Sequence, residues 1–214
     1  SLTEPPVTTT GIGEGRLADV GPIVLGHRLN TRKTFGAYGA LIYNKGALVL
    51  RMLHFLMSNP ASGDDQAFFA MMTDFVNRYR DHFASTDDFR AVANEHFART
   101  PIARKYRLND LNWFFNQWVY QAGLPSYHLE YEIVEQAGGA VVVRGTVIQS
   151  NAPDEWFMPI PLVFFFGGEQ EACGTVHAKG PKTPFEVKLP MRPKKVELDP
   201  YHWILSEKTS TKGK

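Results

Sequence analysis

The chain has 214 residues, 43% of them hydrophobic, with 23 Lys plus Arg set against 22 Asp plus Glu. That apolar content can build a core, which excludes disorder as the overall state, and the balanced charge gives no excess positive field for nucleic acid or an anionic membrane surface. The single cysteine, Cys173, cannot form an internal disulfide, and no apolar run of about 18 residues is present to span a membrane.

Residues 1–15 are polar and rich in Gly, Pro and Thr, and 1–19 are expected to be flexible. From about 35 to 123 the apolar residues recur at helical spacing, and from about 127 to 198 they alternate or cluster between Gly, Pro and Asn. The first predicted helix covers about 36–57. Its stripe of Ile42, Gly46, Val49, Leu53 and Leu56 is widened by Leu41, Leu48, Leu50, Met52 and Phe55 until only Asn44, Lys45, Arg51 and His54 stay polar. A helix so apolar belongs inside a larger body. Gly46, unfavourable by about 1 kcal/mol in a helix interior, suggests the close approach of another backbone.

The second helix starts near Ser62-Gly-Asp-Asp65 and runs to about 81, burying Phe68, Met72, Phe75 and Tyr79. The third follows the cap Ser85-Thr-Asp-Asp88 and presents Phe89, Val92, Ala93, His96 and Phe97 on one face. The fourth, about 110–122, packs Leu111, Phe114, Phe115, Trp118 and Val119 and stops at Gly123 before Pro125. Beyond it, Tyr127, Leu129, Tyr131 and Ile133 alternate with polar residues as a half-buried strand. Gly138-Gly139 makes a tight turn into a partner strand over 141–149. A strand apolar on both faces follows over 158–166, and Phe185, Val187 and Leu189 alternate in another. Strands so closely spaced suggest a small β-sandwich.

The seven histidines include no pair at the spacing of a helical zinc site, and H-E-x-x-H is absent. His128 and Glu130 share a strand face but lack a third ligand, and His96 reads as a hydrogen-bonded core histidine. Gly11-Ile-Gly-Glu-Gly15 lacks the strand, helix and Lys-Ser/Thr of a phosphate loop. The basic run Arg104-Lys-Tyr-Arg107 falls in a predicted loop and reads as solvated. Cys173, predicted in a strand without a neighbouring histidine, reads as a structural thiol.

Tyr43-Asn-Lys-Gly-Ala47, followed by Leu48-Val-Leu-Arg-Met-Leu53, resembles the Tyr-x-Lys-Gly-Ala segment that opens a buried helix in the aminopeptidase N family of zinc peptidases, the gluzincins. The resemblance continues through Gly21-Pro-Ile23, Thr86-Asp-Asp-Phe89, and Leu111-Asn-Trp-Phe-Phe-Asn-Gln-Trp118 with Gly123-Leu-Pro125, in the family's order. It spans about 20–200. It implies an α+β fold: the helical C-terminal part of a thermolysin-like catalytic domain over 1–124, a β-sandwich over 125–205, and a flexible tail over 206–214.

In that family the motif tyrosine donates its phenolic hydrogen to the oxygen of the tetrahedral intermediate formed when zinc-activated water attacks the peptide carbonyl. The resemblance carries this role to Tyr43. A phenol of pKa near 10 is a neutral donor at neutral pH and stabilises developing negative charge in a dry site. The family's H-E-x-x-H, its downstream glutamate ligand and its Gly-x-Met-Glu-Asn segment are absent and would lie before residue 1. The resemblance therefore implies a C-terminal fragment of a zinc aminopeptidase, inactive alone and binding no zinc itself, whose partners are the N-terminal half of the peptidase and a peptide substrate. Its first helix, around Ile42, Val49 and Leu53, is then expected to stay exposed or to self-associate with another copy. A second reading is a non-catalytic interaction platform built on the same scaffold. A third is a self-contained α+β protein whose own residues cover the first helix.

Overall fold

The structure is a computed structural model that describes residues 2–3, 7–8, 11–12, 15–34, 36–136 and 140–213. Its elements are a mixture of helices and strands, and its contacts divide the chain into two compact units, Ser1–Gly123 and Leu124–Lys214. No described helix is long and apolar enough to cross a membrane.

The first unit opens with a short antiparallel ladder, β1 (Val7–Thr8) on β2 (Gly11–Ile12), and 3-10 turns at Leu17–Asp19 and Ile23–Leu29. Part of the segment expected to be flexible thus has regular structure: Leu17 and Ala18 are buried. The first long helix is composite. A π-helical stretch, Gly39–Lys45, runs directly into α1 (Gly46–Met57), with helical backbone at both junction residues. Met52, Leu53, Leu56 and Met57 are at most 1% exposed and Val49 7%. On the same helix Ile42 is half-buried and Leu50 39% exposed, and Ile42, Val49 and Leu53 line a cleft.

Helix α2 (Gln66–Arg78) buries only Met71 completely. The expected stripe of Phe68, Met72, Phe75 and Tyr79 is half-buried, because these rings lie along the helix edges, Phe68 against His54 and Phe75 against Phe89. Helix α3 (Thr86–Phe97) begins with the expected capping box: the Ser85 hydroxyl accepts from the Asp88 amide at 3.1 Å and the Asp88 carboxylate accepts from the Ser85 amide at 2.8 Å, satisfying two amides that the first turn leaves open. Polar bonds clamp α2 to α3. Arg78 donates to both Asp74 and Glu95, at 2.7 and 2.6 Å, and the His96 ring is 2.8 Å from Asp74. Hydrogen bonds from His96 first, then Arg78, hold the Asp74 carboxyl below its usual range.

The Arg104-Lys-Tyr-Arg107 run, expected in a loop, lies largely on α4 (Pro101–Tyr106). The Thr100 hydroxyl caps that helix by accepting from the Ala103 amide, and Pro101 occupies its first turn, where no amide is needed. Helix α5 (Asn112–Trp118) ends earlier than the expected 122, with Phe114 and Trp118 fully buried.

The second unit contains two sheets. One has the order β7-β4-β3-β9, formed by β3 (Ser126–Glu135), β4 (Val141–Ser150), β7 (Lys182–Leu189) and β9 (Lys208–Gly213). The other has the order β6-β5-β8, formed by β5 (Phe157–Gly167), β6 (Gln170–Lys179) and β8 (Lys195–Leu198). The expected Gly138-Gly139 turn lies outside the described residues. Met158, Ile160, Leu162 and Val163 are at most 1% exposed, so β5 is buried on both faces. Pro159 and Pro161 sit in this central strand opposite His177 and Thr175 of β6; the β8 ladder covers only Leu162–Phe165, and beyond it the Pro161 carbonyl accepts from the Asp199 amide at 2.9 Å, a bond that needs no proline amide. The segment expected to be a flexible tail supplies β9, which runs parallel to β3.

Gly145 on β4 faces Tyr131 and Phe185 on the neighbouring strands. A Cβ there would lie 2.5 Å from the Glu130 carbonyl oxygen and 2.8 Å from the Phe185 ring. Backbone cannot yield as a flexible side chain does, so Gly145→Ala is expected to destabilise the chain by about 1–3 kcal/mol. A lower urea midpoint at unchanged denaturant slope is the expected readout.

Candidate functional site

Three features of the first unit meet at Tyr43: the π-helical turn, a cleft, and a ring contact. The cleft, of about 550 Å³, has one wall formed by Ile42, Tyr43, Gly46, Val49 and Leu53. The opposing wall comes from Ser85, Thr86 and Phe89 at the start of α3, with Phe114, Phe115 and Val119 around α5. Most of these are apolar, and Ile42 and Phe89 are only half-buried. Tyr43 is 66% exposed, which is unusual for a large ring on a helix whose neighbouring positions, Leu41 and Lys45, are fully buried.

Gly46 serves this cleft and not a helix crossing. A Cβ at Gly46 would meet nothing nearer than the Leu41 carbonyl oxygen of its own helix, 3.9 Å away, so the expected close approach of another backbone is absent there. Lys45, which the sequence placed among the polar positions of the helix, is 0% exposed. Its ammonium donates to the Gln121 carbonyl at 3.4 Å, tying the π-turn to the chain just past α5. Burial lowers the Lys45 pKa to about 8, a shift opposed by the charge of Asp19.

Tyr38 contacts Tyr43 edge to face, with ring centroids 5.8 Å apart, and stacks on His27 with centroids 4.8 Å apart. Neither Tyr38 nor His27 was singled out in the sequence. A second tyrosine five positions before the motif tyrosine was the available signal.

The remaining sequence candidates do not join this site. His96 is hydrogen-bonded to Asp74 but half-buried, not a core residue. His128 lies 3.9 Å from Glu130 and is hydrogen-bonded to Ser210 at 2.8 Å. Cys173 is exposed. A second depression, on the β7-β4-β3 sheet, is lined by Glu130, Glu132 and an Arg144 already paired with Glu186 at 2.7 Å. Among the described residues no three His, Cys, Asp or Glu side chains gather as a metal site, so the described donors do not make up the three-ligand set of a catalytic zinc. After dialysis against micromolar zinc, metal analysis is expected to find well under one zinc per chain; about one tightly held ion would overturn this expectation.

No protein-family model matches the chain, and no curated protein matches it. Among solved structures it is similar to Legionella pneumophila aminopeptidase A in complex with aspartic acid, with 15% sequence identity and a TM-score of 0.55. The similarity covers 81% of this chain and 18% of that chain. The chain therefore has a peptidase-like fold, matching less than a fifth of the other structure's length.

Proposed function

We propose that the chain is part of a zinc-dependent aminopeptidase of the gluzincin type, supplying the helical C-terminal part of a thermolysin-like catalytic domain and a β-sandwich. In this reading Tyr43 is the oxyanion donor, and the residues that hold zinc belong to a portion of the peptidase outside this chain. The carrying observation is the placement of Tyr43, a ring 66% exposed at the rim of an apolar cleft. There its hydroxyl is open to the carbonyl of a peptide laid along the cleft. The peptidase-like fold supports the reading at the level of architecture. A phenol is suited to the task because it presents a hydrogen without carrying charge, so its attraction for substrate grows as the carbonyl oxygen becomes negative.

A second reading is a non-catalytic interaction module built on the same scaffold, for which the apolar cleft beside Tyr43 offers a binding surface. The two separate on one experiment. The protein extended to include the sequence preceding this chain should hydrolyse aminoacyl chromogenic substrates, lose that activity to a chelator and regain it with zinc. No chelator-sensitive hydrolysis from a folded, extended protein would leave the second reading standing.

A further inference from the structure

The residues lining the cleft beside Tyr43 are apolar or neutral: among the described residues none of them is an acid, a lysine, an arginine or a histidine. Ile42, Val49 and Leu53 stand on one wall, and Phe89 and Phe114 on the other. Polar atoms are few. The Ser85 hydroxyl is committed to its own helix, accepting from the Asp88 amide at 3.1 Å and donating to the Asp88 carboxylate at 2.7 Å. Lys45, on the same π-turn as Tyr43, supplies no charge to the cleft, because its ammonium is buried against the Gln121 carbonyl. A charged side chain entering this space would give up its water and find no counter-charge. An apolar one gains by leaving water, and half-buried Ile42 and Phe89, with Leu50 39% exposed, offer it uncovered apolar surface. The volume, about 550 Å³, falls within the range of small-ligand sites and holds one large side chain together with the backbone that bears it.

We propose that this cleft is the specificity pocket for the residue that follows the scissile bond, and that it takes a large apolar side chain such as leucine or phenylalanine in preference to an acidic or basic one. The proposal rests on the reading of Tyr43 as oxyanion donor. A hydroxyl that binds the scissile carbonyl oxygen fixes the peptide at the rim, so the two side chains flanking that bond lie beside it. Their chemistry separates them. The residue before the bond carries the α-ammonium that an aminopeptidase must hold, and a desolvated cation needs an acidic partner; no residue lining the cleft carries a carboxylate. The residue after the bond brings only its side chain and neutral amide groups, and these apolar walls suit it.

Two measurements test this. In the first, the chain with ¹³C-labelled Ile, Leu and Val methyl groups is titrated with the N-acetyl amides of leucine, phenylalanine, aspartate and lysine, whose acetyl carbonyl stands in for the scissile one. The methyl resonances of Ile42, Val49 and Leu53 are expected to move with the leucine and phenylalanine probes and to stay in place at equal concentrations of the other two. In the second, the extended protein is given dipeptides. Its kcat/KM is expected to fall about 10²-fold from alanyl-leucine to alanyl-aspartate. Ile42→Arg, which sets a guanidinium on the wall, is expected to narrow that ratio by about tenfold or more, with no change in the ratio between dipeptides that differ in their first residue. Where Ile42→Arg does not fold, the wild-type comparisons decide alone. Resonances unmoved by the leucine probe, or moved equally by the aspartate probe, overturn the proposal, and so does equal cleavage of the two dipeptides. A ratio altered at the first residue instead puts the cleft on the other side of the bond and also overturns it. Methyl groups that the leucine probe reaches in this chain but not in the extended protein show that the rest of the protein fills the cleft, with the same consequence. Selective binding of the leucine probe by an extended wild-type protein that cleaves no peptide overturns the oxyanion reading beneath the proposal.

Discussion

With Tyr43 as the proposed oxyanion donor, its replacement by phenylalanine in the extended protein is expected to lower kcat by about 10²- to 10³-fold, equivalent to about 3–4 kcal/mol of transition-state stabilisation, with far less change in KM. The substitution removes one hydroxyl and keeps the ring. Because Tyr43 is 66% exposed, little packing depends on that oxygen. Stability should therefore barely move. The carbonyl oxygen of a bound peptide carries only partial charge, so the hydroxyl contributes modestly to ground-state binding and most strongly once the tetrahedral oxyanion forms. A structural tyrosine predicts the reverse: near-normal kcat and a small loss of stability. Steady-state kinetics on an aminoacyl chromogenic substrate, with equal zinc occupancy in both proteins, distinguishes these cases. A variant keeping more than about half of wild-type kcat would remove Tyr43 from the mechanism, since such a donor is worth several kcal/mol.

Signals written in local chemistry were legible. Ser85 followed by Asp88 announced the cap that α3 uses, and the alternation from Tyr127 to Ile133 announced β3. Thr100-Pro101 carries an equally plain helix start, ahead of the basic run that α4 then holds. Other features had no local signal. Strand β9 has the sequence Lys-Thr-Ser-Thr-Lys-Gly, with no apolar alternation, and exists because β3 offers it a partner edge. The π-turn differs from an α-turn by about one residue in its hydrogen-bonding span, a difference that apolar periodicity over seven residues does not resolve. The candidate site depends on that difference. Tyr43 could be singled out from its motif, but its contact with Tyr38 requires the π-turn, and the stacking of His27 requires the kink at Gly26. Residue type also misled at Lys45, where the long side chain allowed a polar residue to be buried completely.

Lys45→Met is expected to stabilise the chain near neutral pH and to lose that advantage in alkali. The Lys45 ammonium is 0% exposed, with the Gln121 carbonyl as its hydrogen-bond acceptor at 3.4 Å. Its pKa falls from 10.5 to about 8 because burial disfavours the charged form more than Asp19 favours it. Below pH 8 both folded and unfolded chains carry the proton, and the folded state bears the cost of a buried cation, on the order of 3 kcal/mol for a shift of this size. Between pH 8 and 10.5 the unfolded chain keeps the proton that the folded chain has lost; the unfolded state binds more protons there, so stability rises with pH. Above 10.5 both are neutral and the cost is gone. Methionine fills a similar volume without a charge but gives up the hydrogen bond to Gln121, worth about 1 kcal/mol. The variant should accordingly be more stable than wild type by about 2 kcal/mol at pH 7 and less stable by about 1 kcal/mol near pH 10.5. Urea unfolding of both proteins at matched ionic strength across pH 7 to 10.5 measures the difference, and titrations common to the two chains cancel from it. A difference that stays flat over that interval would show that Lys45 keeps an ordinary, solvated charge, and with it that the π-turn is not anchored through a buried lysine.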